Sequence, residues 1–308
     1  MSASRPSPGV PALDGELRSR LGRRFGQRVE PWLDALPEVL LGLAERWQIE
    51  LRSLIQRGTF SVVIRCRTAD GRPAVLKISP DQTRIRAEAA ALARWTTDHV
   101  PDVYAVDGGV GALLMEAIEP GTPLVESPER PSMASVAALF RSLHESGSPD
   151  PGYQPLAKRI AHLFESSRKL YAWKPDLVEL VPPELCERSR ELAQRLAADA
   201  AEAVLLHGDL TPVNVLDGGE ARGLVAIDPA PCIGDPAFDA IDLVLWRADD
   251  AGTVARRIDE LAALRAWDPR RLHDWCAAFA GMVALEIAEA SSGSPAELQP
   301  LLALAAGV

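Results

Sequence analysis

Apolar residues recur at helical spacing through the first fifty positions of the chain. Leu17 and Leu21 stand four residues apart, and after Pro31 a series of leucines repeats every three or four positions up to Trp47. This period places apolar side chains on one face of a helix. The pattern therefore predicts helical structure from about Leu13 to Trp47.

The hydrophobic pattern then changes to short runs rich in Val, Ile and Leu. Runs at 49–55, 61–67 and 74–78 are separated by segments with turn-forming residues, Arg57-Gly58-Thr59 and Ala69-Asp70-Gly71. Short β-branched runs between such turns are typical of a meander. We expect three antiparallel strands here.

A helix and two further strands are expected after the meander. Asp81 can cap a helix that reaches about Trp95, and strands are expected at 103–106 and 112–118. Pro120-Gly121-Thr122-Pro123 then interrupts any regular structure. We place a domain boundary there, giving an N-lobe over 1–118 and a C-lobe over 119–308.

The chain beyond this boundary is predicted to be mostly helical. The exception is the segment 204–228, whose pattern indicates a strand, a loop and a hairpin that turns at Asp217-Gly218-Gly219. Helices are expected from Ser132 through Leu143 and near 155–172, 184–203, 237–247, 251–265, 269–291 and 295–306.

Composition and charge exclude several classes of function. A formal net charge of −10 over 308 residues argues against nucleic acid or an anionic membrane surface as the partner. It is compatible with a cationic small molecule. Four scattered cysteines form no metal-binding pattern, and the first ten residues have no secretory signal. We expect free thiols and a cytoplasmic protein.

The most specific motif is His207-Gly208-Asp209-Leu210-Thr211-Pro212-Val213-Asn214, followed fourteen residues later by Asp228. It satisfies the pattern His-x-Asp-x-x-x-x-Asn of catalytic loops in the protein-kinase fold. Phosphoryl transfer requires an oriented acceptor hydroxyl and Mg²⁺ on the β- and γ-phosphates of ATP. Asp209 is therefore the candidate catalytic residue, and Asn214 and Asp228 are the candidate Mg²⁺ ligands.

A second indication lies upstream and is independent of this motif. Lys77 is on the third predicted strand, and Glu88 is on the helix that follows. An apolar strand does not readily hold an inward lysine without a partner. We expect Glu88 to hold Lys77 for contact with the α- and β-phosphates.

Other candidate nucleotide contacts come from a loop and from the strand before the hinge. Gly58 would let the backbone approach the phosphates, with Thr59 or Ser61 donating hydrogen bonds. The Glu116 carbonyl and the Ile118 N–H are the candidates for contact with adenine.

The motifs resemble those of a known enzyme family. HGDLTPVNVLDGGEARGLVAIDPAPCIGDPAFDAIDLVL, RTADGRPAVLKI, EAAALARW and LLMEAIEPGTPL are similar to the aminoglycoside phosphotransferases, in particular the streptomycin 6-kinase and hydroxyurea phosphotransferase branch. The resemblance extends over about residues 30–250. It implies an α+β, protein-kinase-like bilobal fold, with an antiparallel-sheet N-lobe and a mainly helical C-lobe.

The resemblance also implies ATP and Mg²⁺ as cofactors, and a streptomycin-like acceptor. Pro229-Ala230 follows Asp228 where protein kinases have Phe-Gly, and no Ala-Pro-Glu segment is present, which counts against a protein substrate. In the family, the position matching Asp239 braces the catalytic loop.

The remaining polar residues near the motif are assigned structural roles. His207, Asp235 and Asp239 are expected to support the catalytic loop, although Asp235 is equally suited to cap the next helix. The alternative for Asp235 and Asp239 is that they bind a cationic acceptor. Glu286 or Glu289 is a candidate partner for the cations of the acceptor, with a solvated helix face as the alternative.

Two rival functions stay open at this stage. One is a kinase for hydroxyurea or another small hydroxylated metabolite, which a small neutral acceptor pocket would favour. The other is a nucleotide-binding pseudokinase. The intact set of Lys77, Glu88, Asp209, Asn214 and Asp228 argues against the second rival.

Overall fold

The computed structural model describes residues 9–56, 60–200, 202–248, 250–290 and 295–307. The chain divides into two compact units. The first runs to Ala93 and includes Pro101–Glu119; the second contains Arg94–Val100 and everything from Pro120 onward. Within the described ranges, no helix is long and apolar enough to cross a membrane.

A five-stranded antiparallel sheet forms the centre of the first unit. Its strands are β1 (Ile49–Ile55), β2 (Val62–Thr68), β3 (Pro73–Ile78), β4 (Val103–Asp107) and β5 (Ala112–Glu116). The order is β1-β2-β3-β5-β4, so the predicted meander is confirmed and β3 is the central strand. The last strand ends at Glu116, two residues earlier than predicted.

Three helices accompany this sheet. They are α1 (Gly15–Phe25), α2 (Glu30–Trp47) and α3 (Gln82–Leu92). Asp14 caps α1 by accepting a hydrogen bond from the Leu17 N–H at 2.8 Å. The buried leucines of α1 and α2 join Ile64 and Leu76 of the sheet in one hydrophobic core. The helices predicted at the start of the chain therefore cover the apolar side chains of the sheet.

The second unit is mostly helical, as predicted. Its helices are α4 (Met133–Ser146), α5 (Leu156–Trp173), α6 (Leu177–Leu180), α7 (Pro183–Ala198), α8 (Ile241–Leu245), α9 (Ala251–Arg265), α10 (Pro269–Ala290) and α11 (Pro295–Ala306). The helix predicted over 237–247 is instead a 3₁₀ turn at Pro236–Ala240 followed by the short α8. The helix predicted over 184–203 ends at Ala198.

Five short strands position the catalytic loop within this unit. They are β6 (Gln154–Pro155), β7 (Val204–Leu206), β8 (Val215–Asp217), β9 (Leu224–Ala226) and β10 (Cys232–Gly234). β8 and β9 form the predicted hairpin. The pattern did not predict that β10 pairs with both β6 and β7, making a second small sheet.

Candidate functional site

The first unit contains a buried lysine–glutamate pair. Lys77 Nζ lies 2.8 Å from both Oε1 and Oε2 of Glu88, and the two side chains are only 3% and 1% exposed. Lys77 is on the central strand β3, and Glu88 is on the inner face of α3. A buried ammonium needs such a partner, and the predicted pairing of these two residues is observed.

The other residues predicted to contact the nucleotide are Gly58, Thr59, Ser61, Glu116 and Ile118. Gly58 and Thr59 lie outside the described residues, whereas Ser61 is buried directly before β2. The side chain of Glu116 accepts a hydrogen bond from the Asp102 N–H at 3.2 Å. Ile118 is buried beyond the end of β5. These assignments stay predictions.

The loop between β7 and β8 holds Asp209 and Asn214 side by side. Asn214 Nδ2 donates to Asp209 Oδ2 at 3.1 Å and to the Asp209 carbonyl at 2.9 Å. The Asn214 N–H bonds the Thr211 carbonyl at 2.9 Å, which closes a turn within the loop. Because its NH₂ group faces Asp209, the amide oxygen of Asn214 points away from that carboxylate.

Asp228 is held next to this loop by the backbone. The N–H of Ile227 donates to the Asn214 carbonyl at 2.9 Å, and the N–H of Ala230 donates to the His207 carbonyl at 2.9 Å. Asp228 itself has a φ of +59°. Aspartate is one of the few residues that tolerate this left-handed conformation. The hairpin therefore brings Asp228 to the end of the sheet where Asn214 lies, as predicted.

The donor chemistry of this pair fits Mg²⁺. Asn214 and Asp228 offer an amide oxygen and a carboxylate, which are hard ligands. Among the described residues, no group of three or more His, Cys, Asp or Glu could hold a metal ion. Because Asn214 and Asp228 offer two oxygen donors, they suit a magnesium ion that takes most of its ligands from phosphate and water.

A deeply buried carboxylate braces the catalytic loop. Asp239 accepts hydrogen bonds from the N–H groups of His207 and Gly208, both at 2.9 Å, and from His144 Nε2 at 3.0 Å. Burial raises the pKa of Asp239, but the hydrogen bond and charge of His144, with further help from the Gly208 N–H, hold it below its ordinary value. Asp239 thus fixes the loop as an ionised group.

His207 supports the loop from the other side. Its Nε2 lies 2.9 Å from the Ile227 carbonyl, and its ring stacks on Trp95. Burial lowers the pKa of His207 despite the nearby carboxylates of Asp239 and Asp209. A fully buried, neutral ring in this position is a structural support.

The position of Gly208, between His207 and Asp209, requires a glycine. Its φ is +75°, and an added Cβ would lie 2.2 Å from the Ala230 carbonyl oxygen. Any side chain would push the loop away from the strand end that carries Asp228.

Asp235 takes the second of the two roles expected for it, the cap of the next helical element, so the expected support of the catalytic loop is corrected. Asp235 caps the 3₁₀ turn, accepting from the Ala237 N–H at 3.0 Å, and binds Arg271 and Trp275 of α10. Its role is to attach that turn to α10, because its hydrogen bonds go to these groups.

A pocket in the second unit surrounds Asp209, and the motif did not predict all of it. Besides the loop, its polar lining includes Arg159, Asp242 and Glu286. Burial and the charge of Asp209 raise the pKa of Asp242 to about 7. Burial and the charges of Asp242, Asp209 and Glu289 raise that of Glu286 to about 8, although water reaches the Glu286 side chain.

The two acidic candidates on α10 differ in their surroundings. Glu286 lines the pocket, whereas the Glu289 carboxylate forms an ion pair with Lys174 at 3.2 Å. Glu286 is therefore the better candidate for contact with an acceptor. Helical periodicity alone could not separate them, because both lie on the partly solvated side of one helix.

Residues 46–291 match the sequence profile of a family described as aminoglycoside/hydroxyurea antibiotic resistance kinase. The chain is 30% identical over 271 residues to the hydroxyurea phosphotransferase of Kitasatospora aureofaciens, covering 86% of this chain and 76% of that protein. It is 28% identical over 276 residues to the streptomycin 6-kinase of Streptomyces griseus, covering 84% and 85%.

A solved structure supports the fold. An aminoglycoside phosphotransferase in complex with AMP-PNP and hygromycin B superposes with a TM-score of 0.58 at 16% identity, over 87% of this chain and 97% of that one. The predicted fold class and the family resemblance are confirmed.

Proposed function

Because this chain belongs to the family of aminoglycoside/hydroxyurea antibiotic resistance kinases, we propose that it transfers the γ-phosphoryl group of ATP to a hydroxyl group of a streptomycin-like aminoglycoside. The observation that carries the proposal is the environment of Asp209. Its carboxylate is oriented by Asn214 and lies in a pocket lined by three further carboxylates, the loop-bracing Asp239 and the additional Asp242 and Glu286.

Asp209 would orient the acceptor and receive its proton. The acceptor hydroxyl oxygen forms a bond to the γ-phosphorus, and the bond from that phosphorus to the β–γ bridging oxygen breaks, so that ADP leaves. The hydroxyl proton passes to a carboxylate oxygen of Asp209. Asp209 is 31% exposed in its side chain, which leaves room for a hydroxyl to approach.

The nucleotide would be held by residues of both motifs. Lys77, fixed by Glu88, is proposed to contact the α- and β-phosphates. Asn214 and Asp228 would hold Mg²⁺, whose charge would offset that of the β- and γ-phosphates when it is bound. Further proposed contacts are Gly58, Thr59 and Ser61 with the phosphates, and Glu116 and Ile118 with adenine.

The acceptor pocket favours a cation. Asp242 and Glu286 lie near Asp209, and burial together with the negative charge of the neighbouring carboxylates raises the pKa of each. A guanidinium or ammonium group on the acceptor would offset that charge through charge-assisted hydrogen bonds. A small neutral acceptor such as hydroxyurea would leave it uncompensated. We propose that the enzyme acts in the cytoplasm, where ATP is available.

Hydroxyurea stays a second candidate for one reason. The relative at 30% identity is named a hydroxyurea phosphotransferase, and sequence identity at this level does not separate it from the streptomycin kinases. Kinases for other small hydroxylated metabolites share this alternative. The intact set of Lys77, Glu88, Asp209, Asn214 and Asp228 argues against a pseudokinase.

A coupled ADP-release screen tests the proposal. The protein is supplied with MgATP and, separately, streptomycin, other aminoglycosides, hydroxyurea and simple polyols. We expect ADP release that depends on streptomycin or a related cationic acceptor. Turnover with hydroxyurea or a neutral polyol alone would exclude the aminoglycoside proposal while retaining the kinase. Release with no acceptor, at a rate that added acceptors do not change, would exclude phosphoryl transfer to them.

A further inference from the structure

Arg159 contacts the catalytic loop at two points. Its Nη2 donates to Asp209 Oδ1 at 3.0 Å, and its Nε donates to the Gly208 carbonyl at 3.0 Å. The Arg159 side chain is only 11% exposed. No part of the catalytic-loop motif contains this residue, which comes fifty positions earlier in the chain.

The small three-stranded sheet explains how Arg159 reaches the loop. β6 leads directly into α5, which carries Arg159, and β7 leads directly into the catalytic loop. Both strands pair with β10. Gly234 of β10 gives α5 room, since an added Cβ there would lie 2.5 Å from Leu156 Cβ. Backbone pairing therefore sets the start of α5 against the start of the loop.

The two contacts, together with Asn214, fix the orientation of the Asp209 carboxylate. Arg159 binds Oδ1 and Asn214 binds Oδ2, so rotation about the Cβ–Cγ bond would break both hydrogen bonds. A guanidinium presents its donors in a rigid, planar fork, which a lysine ammonium does not reproduce. Each carboxylate oxygen keeps a lone pair for the acceptor hydroxyl.

We propose that Arg159 is a positioning residue for phosphoryl transfer: its guanidinium holds the Asp209 carboxylate and the Gly208 carbonyl in the orientation that an acceptor hydroxyl requires. This inference rests on the proposed function. Through Arg159, helix α5 would directly affect the rate of phosphoryl transfer.

Packing of α5 does not depend on Arg159. The helix buries Leu156, Ile160 and Phe164, which form its apolar face. Arg159 lies beside this apolar face and lines the pocket that surrounds Asp209. Replacing it should therefore leave the helix folded while removing both hydrogen bonds.

The test compares Arg159→Lys and Arg159→Ala with the matched control Arg168→Ala. Arg168 is on the same helix but its side chain is 72% exposed and, within the described part of the chain, forms hydrogen bonds only with Glu165. We expect kcat with the acceptor to fall about 100-fold in both Arg159 variants, the loss typical of a misplaced reacting group. The KM for ATP and the melting temperature should match those of the control.

Chemical rescue separates positioning from a general structural effect. Low concentrations of guanidinium chloride, well below those that unfold the protein, should restore part of the kcat of Arg159→Ala. Sodium chloride at equal ionic strength should not. A kcat in either Arg159 variant within twofold of wild type, or a loss that guanidinium cannot reverse in Arg159→Ala, would overturn the inference.

A spectroscopic arm keeps the inference separate from the proposed function. If wild type transfers phosphate to none of the acceptors, the proposed function fails. Arginine side-chain NMR then tests whether the Arg159 guanidinium is fixed on the Asp209 carboxylate. The Nη resonances of Arg159, assigned by their loss in Arg159→Lys, should show slow rotation in wild type and fast rotation in Asp209→Ala. The exposed Asp259→Ala should leave them slow. Equal rotation rates of the Arg159 guanidinium in wild type and Asp209→Ala would show that the two side chains do not hold each other, which would contradict the inference.

Discussion

His207 places a neutral, fully buried imidazole ring next to the catalytic loop in the second unit. Its pKa is lowered by burial, so the folded protein binds a proton at this site less readily than the unfolded chain does. Its stabilising contribution is fully present above the unfolded pKa of about 6.5 and is lost as the pH falls below it.

The pH dependence of unfolding tests this role. We expect the free energy of unfolding of wild type to fall between about pH 7 and pH 5, with a contribution from His207 of up to about 1.4 kcal/mol per pH unit. His207→Gln, whose amide can still donate to the Ile227 carbonyl, should show a smaller slope. The exposed His273→Gln should keep the wild-type slope, and the same slope in His207→Gln would refute the assignment.

The carboxylates of the proposed acceptor pocket predict a second pH dependence. Asp242 and Glu286 gain charge as the pH rises through about 7 and about 8. Asp209 and Asp239 raise the pKa of Asp242 further, Glu289 adds to that of Glu286, and Arg159 opposes both effects.

We expect kcat/KM for a cationic acceptor to increase from about pH 6 to about pH 8.5, because only the ionised carboxylates bind a cation strongly. Glu286→Gln should raise the KM for that acceptor about 10-fold, the equivalent of one charge-assisted hydrogen bond, and should flatten the upper part of the profile. Asp274→Asn, a change on the same helix at a side chain that is 42% exposed, serves as the control. An unchanged KM in Glu286→Gln would remove this residue from the acceptor site.

At the scale of elements, α1 does more than cover the sheet. Arg24 of α1 and Arg84 of α3 both lie over the ring of Phe60, at 4.0 Å and 4.2 Å from its centroid. Gln56 donates to Asp14 at 2.8 Å, and Arg20 donates to the Gln56 carbonyl at 3.0 Å. Both ends of the predicted phosphate-binding loop are thereby attached to helices of the first unit.

These attachments predict an effect on nucleotide binding. Phe60→Leu removes both cation–π contacts, each worth about 0.5–1 kcal/mol. The KM for ATP should rise about 3- to 5-fold, whereas the KM for the acceptor should not change. Tyr104→Leu removes a ring of β4 that lies under Arg72 and should leave the KM for ATP unaltered. Equal effects of the two variants would show that α1 does not act through Phe60.

The elements also show where sequence patterns are informative. The five-stranded sheet and the long helices were predictable because their apolar residues repeat over two or more turns or along whole strands. β6 and β10 are two and three residues long, too short for a period, and their pairing joins residues about eighty positions apart. The Pro236 turn became 3₁₀ because proline and the Asp235 cap favour a tight first turn.

For the whole molecule, the candidate site was predictable to the extent that it is local in sequence. Asp209, Asn214 and Asp228 share one loop and one hairpin, so spacing was enough to group them. Arg159 enters only through the unexpected small sheet, and the exposed face of α10 gave no reason to prefer Glu286 over Glu289. The position of Arg159 depends on long-range backbone pairing, which leaves no local pattern in the sequence and therefore could not be predicted.

The central claim is that Asp209 serves the transfer of phosphate from ATP to an acceptor hydroxyl. The most direct test measures phosphorylated streptomycin and ADP formed by wild type and by Asp209→Asn, with Asp259→Asn as the control. We predict product and ADP in equal amounts from wild type and the control, and a rate at least about 10³-fold lower for Asp209→Asn. Phosphorylated product formed at the wild-type rate by Asp209→Asn would contradict the account.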